Sequence, residues 1–463
     1  MFRSALRLTL LALAASNAAY AGTFNHIVII VQENRTPDNI FGSNPTFEPG
    51  VDIATTALAP NGVVVPLTSV NLVDCYDLHH DHAAFELMWD NGKMDGAALI
   101  PTRVQGPCNI PPNPQYKYLN NSTGTIQPYF DIAMQYGFAN RMFQTNQGPS
   151  FPAHQFIFGG TSAPSEYSAL FAAENMTIKL PAGLAGCIGP NDQRVVVIDP
   201  QGSETSNPSV FPCFERPTLS DELEAASLSW RYYTPGAGSI WSAPDAIKHI
   251  CVARVGLHGS KTCTGTEWTN SVVIEPSQVL TDIAKCNLAA VTWVIPDGAN
   301  SDHPISNTGG GPAWVSSIVN AIGNQAQCPG GETFWNDTAI LITWDDWGGW
   351  SDHVPVPSIG QPNGWGTGYV YGFRVPLLVV SAYTPAGYVD NGLHDFGSFL
   401  RMIETNFGLG LIGPGFYADA YADNLASFFT LTTPRAFEPI PVPAGAEAAM
   451  RIAPLVHTPP DDD

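Results

Sequence analysis

The sequence has few basic residues. It contains 19 Lys and Arg against 41 Asp and Glu, which gives a formal net charge of −22 at pH 7. A surface this acidic repels nucleic acids and anionic bilayers at long range. We therefore expect no nucleic-acid partner, and we expect an anionic ligand only where a metal ion or a local basic pocket overcomes the repulsion.

The sequence also lacks an apolar run long enough to span a bilayer, which takes about 20 residues. Near its N terminus, a short apolar run at 8–15 follows two arginines and precedes an Ala-Tyr-Ala site that ends at Ala21. This pattern is typical of a secretory signal peptide over residues 1–21; a buried helix or a membrane anchor is the alternative. We predict export to the periplasm or the extracellular space, with no integral membrane segment in the mature chain.

Zinc-ribbon and C-x-x-C spacings are absent from the eight cysteines. In an oxidising compartment, an even number of scattered cysteines forms disulfides. The sequence allows on the order of a hundred pairings and does not choose among them. Because short enclosed loops are common in large secreted enzymes, our hypothesis pairs sequential neighbours: Cys75 with Cys108, Cys187 with Cys213, Cys251 with Cys263, and Cys286 with Cys328.

The order of apolar patterns along the chain predicts an α/β fold. Continuous apolar runs predict strands buried on both faces at 24–31, 289–295, 338–344 and 375–381. Helical periodicity appears at 219–227, 313–322 and 396–407. Together they predict a mainly parallel central sheet with helices on both faces, long loop insertions and disulfides. We expect one domain over residues 22–440, followed by an acidic tail at 441–463.

Polar side chains follow three of the predicted strands. Because the carboxyl ends of parallel strands meet at one edge of a sheet, we expect these side chains to lie close together. Their oxygen atoms suit a divalent cation, although each of these residues alone is an ordinary turn residue. The side chains are Glu33 and Asn34 after the first strand, Asp302 and His303 after the second, and Asp345 and Asp346 after the third.

A series of segments resembles, in order, the signatures of the bacterial phosphoesterase family that contains phospholipases C and acid phosphatases. The first and longest segment is FNHIVIIVQENRTPDNIFG at 24–42, and the resemblance extends over nearly the whole mature chain. The later segments are DLHHDH at 77–82, GKMDG at 92–96, GPSFP at 148–152, SWRYY at 229–233, SDHP at 301–304, and TWDD through DHVP at 343–355.

The resemblance implies an alkaline-phosphatase-like core with one divalent metal ion of unknown identity. Carried over residue by residue, the implied metal ligands are Glu33, Asn34, Ser150, Asp345 and Asp346. Ser150 is also the implied nucleophile, which forms a phospho-enzyme intermediate after a metal or a base activates its hydroxyl. The resemblance further implies that His80 and His303 contact the phosphoryl oxygens or the leaving group.

Two departures from the family pattern bear on the site. Where the relatives have Asp-Glu-His, this chain has Asp-Asp-Trp at 345–347. Where many relatives have Pro-Asn-Arg, this chain has Pro-Ala-His at 152–154. His154 can replace the lost guanidinium charge in substrate binding only when it is protonated; a structural role is the alternative. Further candidates for substrate binding, or for orienting the loops beside the metal, are Asp302, Asp352 and His353.

We favour phosphodiesters of the phospholipase C kind, including phospholipids, as the phosphate ester substrate. The Arg that would bind a dianionic monoester is missing, and tryptophans at 89, 344, 347 and 350 offer apolar walls or a cation–π site for a choline head group. Core packing is the alternative for these tryptophans. The second hypothesis is an acid phosphatase acting on monoesters, and the third is a catalytically inactive secreted binding protein on the same fold.

Overall fold

The computed structural model describes residues 21–442, except 105, 177–183, 200, 306–307, 326–327, 330, 332 and 359–369. The predicted signal peptide, apart from Ala21, and the predicted tail beyond residue 442 lie outside these residues. Within the described ranges, no helix has the length and apolar character needed to cross a membrane. The division of the chain into signal, domain and tail stays a prediction.

Many of the strands are short. In chain order they are β1 (His26–Gln32), β2 (Thr56–Ala59), β3 (Val63–Pro66), β4 (Thr68–Val70), β5 (Tyr76–Leu78), β6 (Thr102–Val104), β7 (Lys117–Leu119), β8 (Gly137–Ala139), β9 (Phe171–Ala172), β10 (Val195–Ile198), β11 (Glu204–Val210), β12 (Trp230–Thr234), β13 (Ala253–Val255), β14 (Lys261–Cys263), β15 (Val272–Ile274), β16 (Val291–Val294), β17 (Thr338–Trp344), β18 (Leu377–Ser381) and β19 (Tyr388–Asp390).

The helices are α1 (Pro37–Phe41), α2 (His82–Trp89), α3 (Gln127–Gln135), α4 (Ser150–Gly159), α5 (Leu219–Ala225), α6 (Thr266–Ser271), α7 (Gln278–Ala284), α8 (Gly311–Gly323) and α9 (Phe396–Phe407). The three predicted helices correspond to α5, α8 and α9. The last of these begins at an Asp395 capping box and ends at Gly408, whose φ of 67° is in the left-handed region that favours glycine.

The largest sheet has the strand order β15-β12-β16-β1-β17-β18-β8-β19. Its first five strands run parallel to one another, and β18 runs antiparallel to both of its neighbours. All four predicted strands belong to this sheet, as β1, β16, β17 and β18. The structure therefore confirms the α/β fold with a mainly parallel sheet.

The central strands are covered on both faces, which explains their continuous apolar sequences. Every residue of β1 and of β17 is buried. Two groups of helices pack beside the sheet: α8 contacts α3 and α7, and α4 contacts α5 and α9. The tryptophans at 344, 347 and 350 are at most 1% exposed, so they belong to the core rather than to an open choline site; Trp89 is partly buried.

The described cysteines form four disulfides between sequential neighbours: Cys75–Cys108, Cys187–Cys213, Cys251–Cys263 and Cys286–Cys328. The predicted pairing is confirmed. The first disulfide closes the insertion that contains the antiparallel pair β5–β6. This insertion lies between β1 and α3 in the chain, and it contributes side chains to the site.

Candidate active site

The carboxyl ends of β1 and β17 bring four predicted ligand residues together. The two strands pair in parallel register until Gln32 lies opposite Trp344, so the next two residues of each strand emerge side by side. The backbone N–H of Asn34 donates to Asp345 Oδ1 over 3.3 Å. A Cβ on Gly348 would lie 2.4 Å from the carbonyl oxygen of Asn34, so only glycine allows the two loops to approach this closely.

Ser150 joins these residues from a different part of the fold. It is the first residue of α4, directly after Pro149, and it is fully buried. Its Oγ lies 3.2 Å from Glu33 Oε2 and 3.4 Å from Asp346 Oδ2. The N-terminal end of a helix also favours negative charge. The proposed nucleophile and the proposed metal ligands therefore form one cluster.

His154 lies one helical turn after Ser150, on the same face of α4. Its Nε2 is 3.1 Å from Glu33 Oε1 and 3.8 Å from Asp345 Oδ2. The sequence predicted a substrate-binding or structural role for this histidine, and the structure places it against the carboxylates. The signal that would have indicated this position is its i, i+4 spacing from the serine.

The cluster fits a divalent cation. The carboxylates of Glu33, Asp345 and Asp346 are fully buried, and a group of buried like charges is costly unless it is neutralised. Among the described residues, Asn34 Oδ1 and Asp345 Oδ2 are buried and accept no hydrogen bond. Ligand atoms of Glu33, His154 and Asp345 lie within 4.8 Å of one another, and oxygen-rich sites of this kind bind divalent ions.

His80 orients the amide of Asn34. Asn34 Nδ2 lies 2.9 Å from His80 Nε2 and 3.3 Å from Asp346 Oδ2. His80 Nδ1 lies 2.8 Å from the carbonyl oxygen of Leu78, which can only accept, so the ring hydrogen is assigned to Nδ1 and Nε2 accepts from the amide. Both amide hydrogens are used in this arrangement, and the amide oxygen is available as a ligand.

His303 lies beside the same cluster, with the carboxylate of Asp77 near its Nε2. Its Nδ1 is 2.7 Å from the carbonyl oxygen of Pro304, and its Nε2 is 3.8 Å from Asp77 Oδ2. Asp77 also accepts from Arg103, its cross-strand partner in β5–β6, over 3.1 Å. The rings of His80 and His303 are 6.0 Å apart. The sequence assigned no role to Asp77, because nothing local links it to a histidine 226 positions away.

Asp302 faces the core. Its Oδ2 accepts from Tyr129 Oη over 2.7 Å and from Trp344 Nε1 over 3.1 Å. Arg35 donates two hydrogen bonds, of 3.0 and 2.7 Å, to the carbonyl oxygen of Asp302. Burial raises the pKa of Asp302 to about 6. These contacts hold the loop that carries His303.

Asp352 and His353 lie in an ion-pair network. Asp352 Oδ2 accepts from Arg374 Nη2 over 3.0 Å, and the same nitrogen donates to Asp38 over 3.1 Å. His353 Nδ1 lies 2.7 Å from Asp38 Oδ2, and its Nε2 lies 2.9 Å from Asp52 Oδ1. These contacts join the loop after β17 to the start of α1, so they favour the orienting role over substrate binding.

Burial would lower the pKa of His353, but its hydrogen bond to Asp38 and the charges of Asp38 and Asp352 raise that pKa to about 9. Burial raises the pKa of Asp352, against the opposing effect of Arg374. His353 is therefore an imidazolium at neutral pH, and it balances part of the carboxylate charge in this network.

Comparisons with known proteins identify the family of the chain. The model of the Phosphoesterase family matches residues 24–410. The chain is 24% identical over 456 residues to Phospholipase C A of Mycobacterium tuberculosis strain H37Rv, covering 88% of this chain and 78% of that protein. It is 21% identical over 435 residues to the hemolytic phospholipase C of Pseudomonas aeruginosa, covering 83% of this chain and 53% of that protein.

The solved structures show only a low similarity. A protein in the alkaline phosphatase superfamily from Vibrio parahaemolyticus matches 91% of this chain and 73% of its own, with 10% identity and a TM-score of 0.35. A phosphonate monoester hydrolase from Silicibacter pomeroyi matches 68% and 73%, with 12% identity and a TM-score of 0.33. The family assignment rests on the sequence comparison.

Proposed function

The chain belongs to the Phosphoesterase family and is a hydrolase of phosphate esters, and we propose that it acts through Ser150 with a phospho-enzyme intermediate. The observation that supports this proposal is the position of Ser150 Oγ, 3.2 Å from Glu33 and 3.4 Å from Asp346. A buried hydroxyl at a helix N terminus, among carboxylates that need a cation, has the surroundings of an activated nucleophile.

The proposed ligands of one divalent cation are Glu33, Asn34, Ser150, Asp345 and Asp346. When bound, such an ion lowers the pKa of a coordinated hydroxyl and offsets the negative charge that develops on phosphoryl oxygens. His80 supports this arrangement through Asn34, whose amide it keeps in one orientation. We therefore assign His80 a positioning role rather than contact with the leaving group.

His303 is the proposed proton donor. The Ser150 hydroxyl gives its proton to Glu33, to which it donates a hydrogen bond. Its Oγ forms a bond to phosphorus while the bond to the leaving oxygen breaks, and that oxygen takes a proton from His303 Nε2. The carboxylate of Asp77, 3.8 Å from Nε2, favours the imidazolium form that this step needs. Water then attacks phosphorus and His303 takes up a proton from that water. As the bond between Oγ and phosphorus breaks, Ser150 takes its proton back from Glu33, and phosphate or a phosphomonoester leaves.

We propose phosphodiesters of the phospholipase C kind as substrates. The relatives named phospholipase C support this choice, and so does the Pro-Ala-His sequence at 152–154, which removes a guanidinium from the site. The buried tryptophans at 344, 347 and 350 offer no surface for a choline head group. An acid phosphatase acting on monoesters is the alternative. An inactive binding protein is disfavoured, since nucleophile, ligand residues and both histidines lie in one cluster.

The test compares p-nitrophenyl phosphate with p-nitrophenylphosphorylcholine between pH 4 and 8, with added divalent ions and after chelation. We expect turnover that chelation abolishes and that metal restores, with the higher kcat/KM for the diester. A preference for the monoester at every pH supports the acid phosphatase instead. Absence of turnover on both esters with every ion, in protein that binds metal, supports the binding protein.

We also propose that the mature protein works outside the cytoplasm. The N-terminal pattern at 1–21 and the four disulfides support export. N-terminal sequencing of protein recovered from the periplasmic and culture fractions tests both points. We expect a mature chain that begins at Gly22; full-length protein with reduced cysteines in the cytoplasm contradicts the proposal.

A further inference from the structure

We propose that His154 is a ligand of the same cation, so that the site is a mixed nitrogen–oxygen site that prefers transition-metal ions. The inference rests on the proposed function, because it takes the cation to lie among the carboxylates around Ser150. It goes beyond the family pattern, which offers an Arg at this position of the helix and no nitrogen ligand.

The distances around His154 match those between two ligands of one ion. Its Nε2 is 3.1 Å from Glu33 Oε1 and 3.8 Å from Asp345 Oδ2. Nitrogen and carboxylate ligands lie about 2.0–2.2 Å from such a metal ion, so neighbouring ligand atoms are roughly 3 to 4 Å apart. The imidazole, Glu33 and Asp345 therefore sit at ligand spacing around a common point.

The helix leaves His154 little freedom to turn away. All ten residues of α4 are buried, and the side chains of Ser150 and His154 project from consecutive turns of one face. The His154 imidazole is 0% exposed, so a change of rotamer alone does not bring it into contact with solvent. α4 thus delivers two donors to the cluster, a hydroxyl and an imidazole, from a rigid element.

An added imidazole changes which ions the site selects. Sets of carboxylate and amide oxygens suit Mg²⁺ and Ca²⁺, whereas imidazole suits zinc, iron, copper and nickel. The alternative is that His154 only donates a hydrogen bond to Glu33 and holds that carboxylate in place. The two roles differ in what they predict for Gln at this position, since Gln keeps an N–H donor but does not replace an imidazole ligand.

The experiment measures Zn²⁺ and Mg²⁺ binding to metal-free protein by titration calorimetry, without substrate. The variants are His154→Ala, His154→Gln and, as a control, His26→Gln at the buried opposite end of β1. We expect both His154 variants to bind Zn²⁺ at least about tenfold more weakly, with a much smaller change for Mg²⁺. Near-wild-type Zn²⁺ affinity in His154→Gln overturns the proposal, and so does an equal loss for both ions.

Electron paramagnetic resonance of the protein with one equivalent of Cu²⁺ gives a second readout. We expect nitrogen hyperfine splitting in the wild-type and His26→Gln proteins and its loss in His154→Gln; splitting that persists in that variant overturns the assignment. Thermal unfolding shows whether each variant is folded, and the conservative His154→Gln keeps the test valid if the alanine variant is not. If the wild-type protein binds neither ion, both the His154 assignment and the proposed metal-dependent function are rejected. If the protein binds metal but hydrolyses no phosphate ester, only the proposed function is rejected, and the His154 assignment is still decided by the binding data.

Discussion

Ser150 Oγ lies 3.2 Å from Glu33 Oε2, although the two residues are 117 positions apart in the chain. If Glu33 binds a cation, that cation lies beside the Ser150 hydroxyl, and a phosphoryl group that approaches the cation also approaches the hydroxyl. We expect Ser150→Ala to lower kcat by about three orders of magnitude or more, because only binding and electrostatic effects remain. Ser162→Ala, at another buried serine, is the control and should keep normal turnover.

Covalent trapping checks the same residue independently. Enzyme quenched in acid during turnover should carry added phosphate, or a phosphodiester stub, on the peptide that contains Ser150. Near-normal activity in Ser150→Ala, or an unmodified peptide under saturating substrate, would reject the nucleophile assignment and favour attack by water.

Asp345 tests the metal site through stability as well as activity. Asp345→Ala removes one of three buried carboxylates that lie close together, so the metal-free variant should unfold at the same or a higher temperature than metal-free wild type. Metal should stabilise the wild-type protein, since binding to the folded state alone raises its stability, and this gain should disappear in the variant. Asp297→Asn, at another buried acid that follows a strand, is the control. Equal metal-induced stabilisation in Asp345→Ala and wild type argues against this ligand set.

Asp77 is expected to act through His303. Asp77→Asn keeps the shape of the side chain but removes the charge 3.8 Å from His303 Nε2, which makes the imidazolium less favourable. We expect kcat to fall by about tenfold to a hundredfold and the alkaline limb of the pH–rate profile to move to lower pH. Asp74→Asn, in the same insertion, should leave the profile in place. A drop in kcat with an unshifted profile would indicate that Asp77 only holds the insertion together.

His353 should stabilise the fold in neutral and acidic solution. Its pKa is about 9 in the folded protein and roughly 6.5 in an unfolded chain, so its contribution is fully present below pH 6.5. That contribution is lost as the pH rises through 9, because the folded state then gives up its extra proton. His353→Gln should therefore unfold at a lower temperature than wild type at pH 6, and the difference should shrink by pH 9.5.

Thermal unfolding across this pH range measures the effect, with His79→Gln as the control for loss of a histidine outside the network. We expect a deficit on the order of 1–2 kcal/mol at pH 6 for His353→Gln. A deficit that stays constant from pH 6 to 9.5 would mean that packing, and not the charge of His353, stabilises this loop.

The sequence by itself was enough to predict the central strands. Strands such as β1 and β17, buried on both faces, must be apolar at every position, and this local pattern is visible without knowledge of the neighbours. The edge strands β15 and β19 have three residues each, too few to show a period. The antiparallel direction of β18 was equally invisible, because side-chain burial does not depend on strand direction.

In the candidate site, too, the sequence was enough to predict some residues and not others. Glu33, Asn34, Asp345 and Asp346 could be predicted together because parallel strands end at one edge of a sheet. Only the tertiary structure places His154 against the carboxylate of Glu33, Asp77 beside His303, and Asp352 and His353 in ion pairs with Arg374 and Asp38. These contacts join segments far apart in the chain. Local periodicity reports whether a side chain is buried, whereas its partner depends on how separate elements cross in three dimensions.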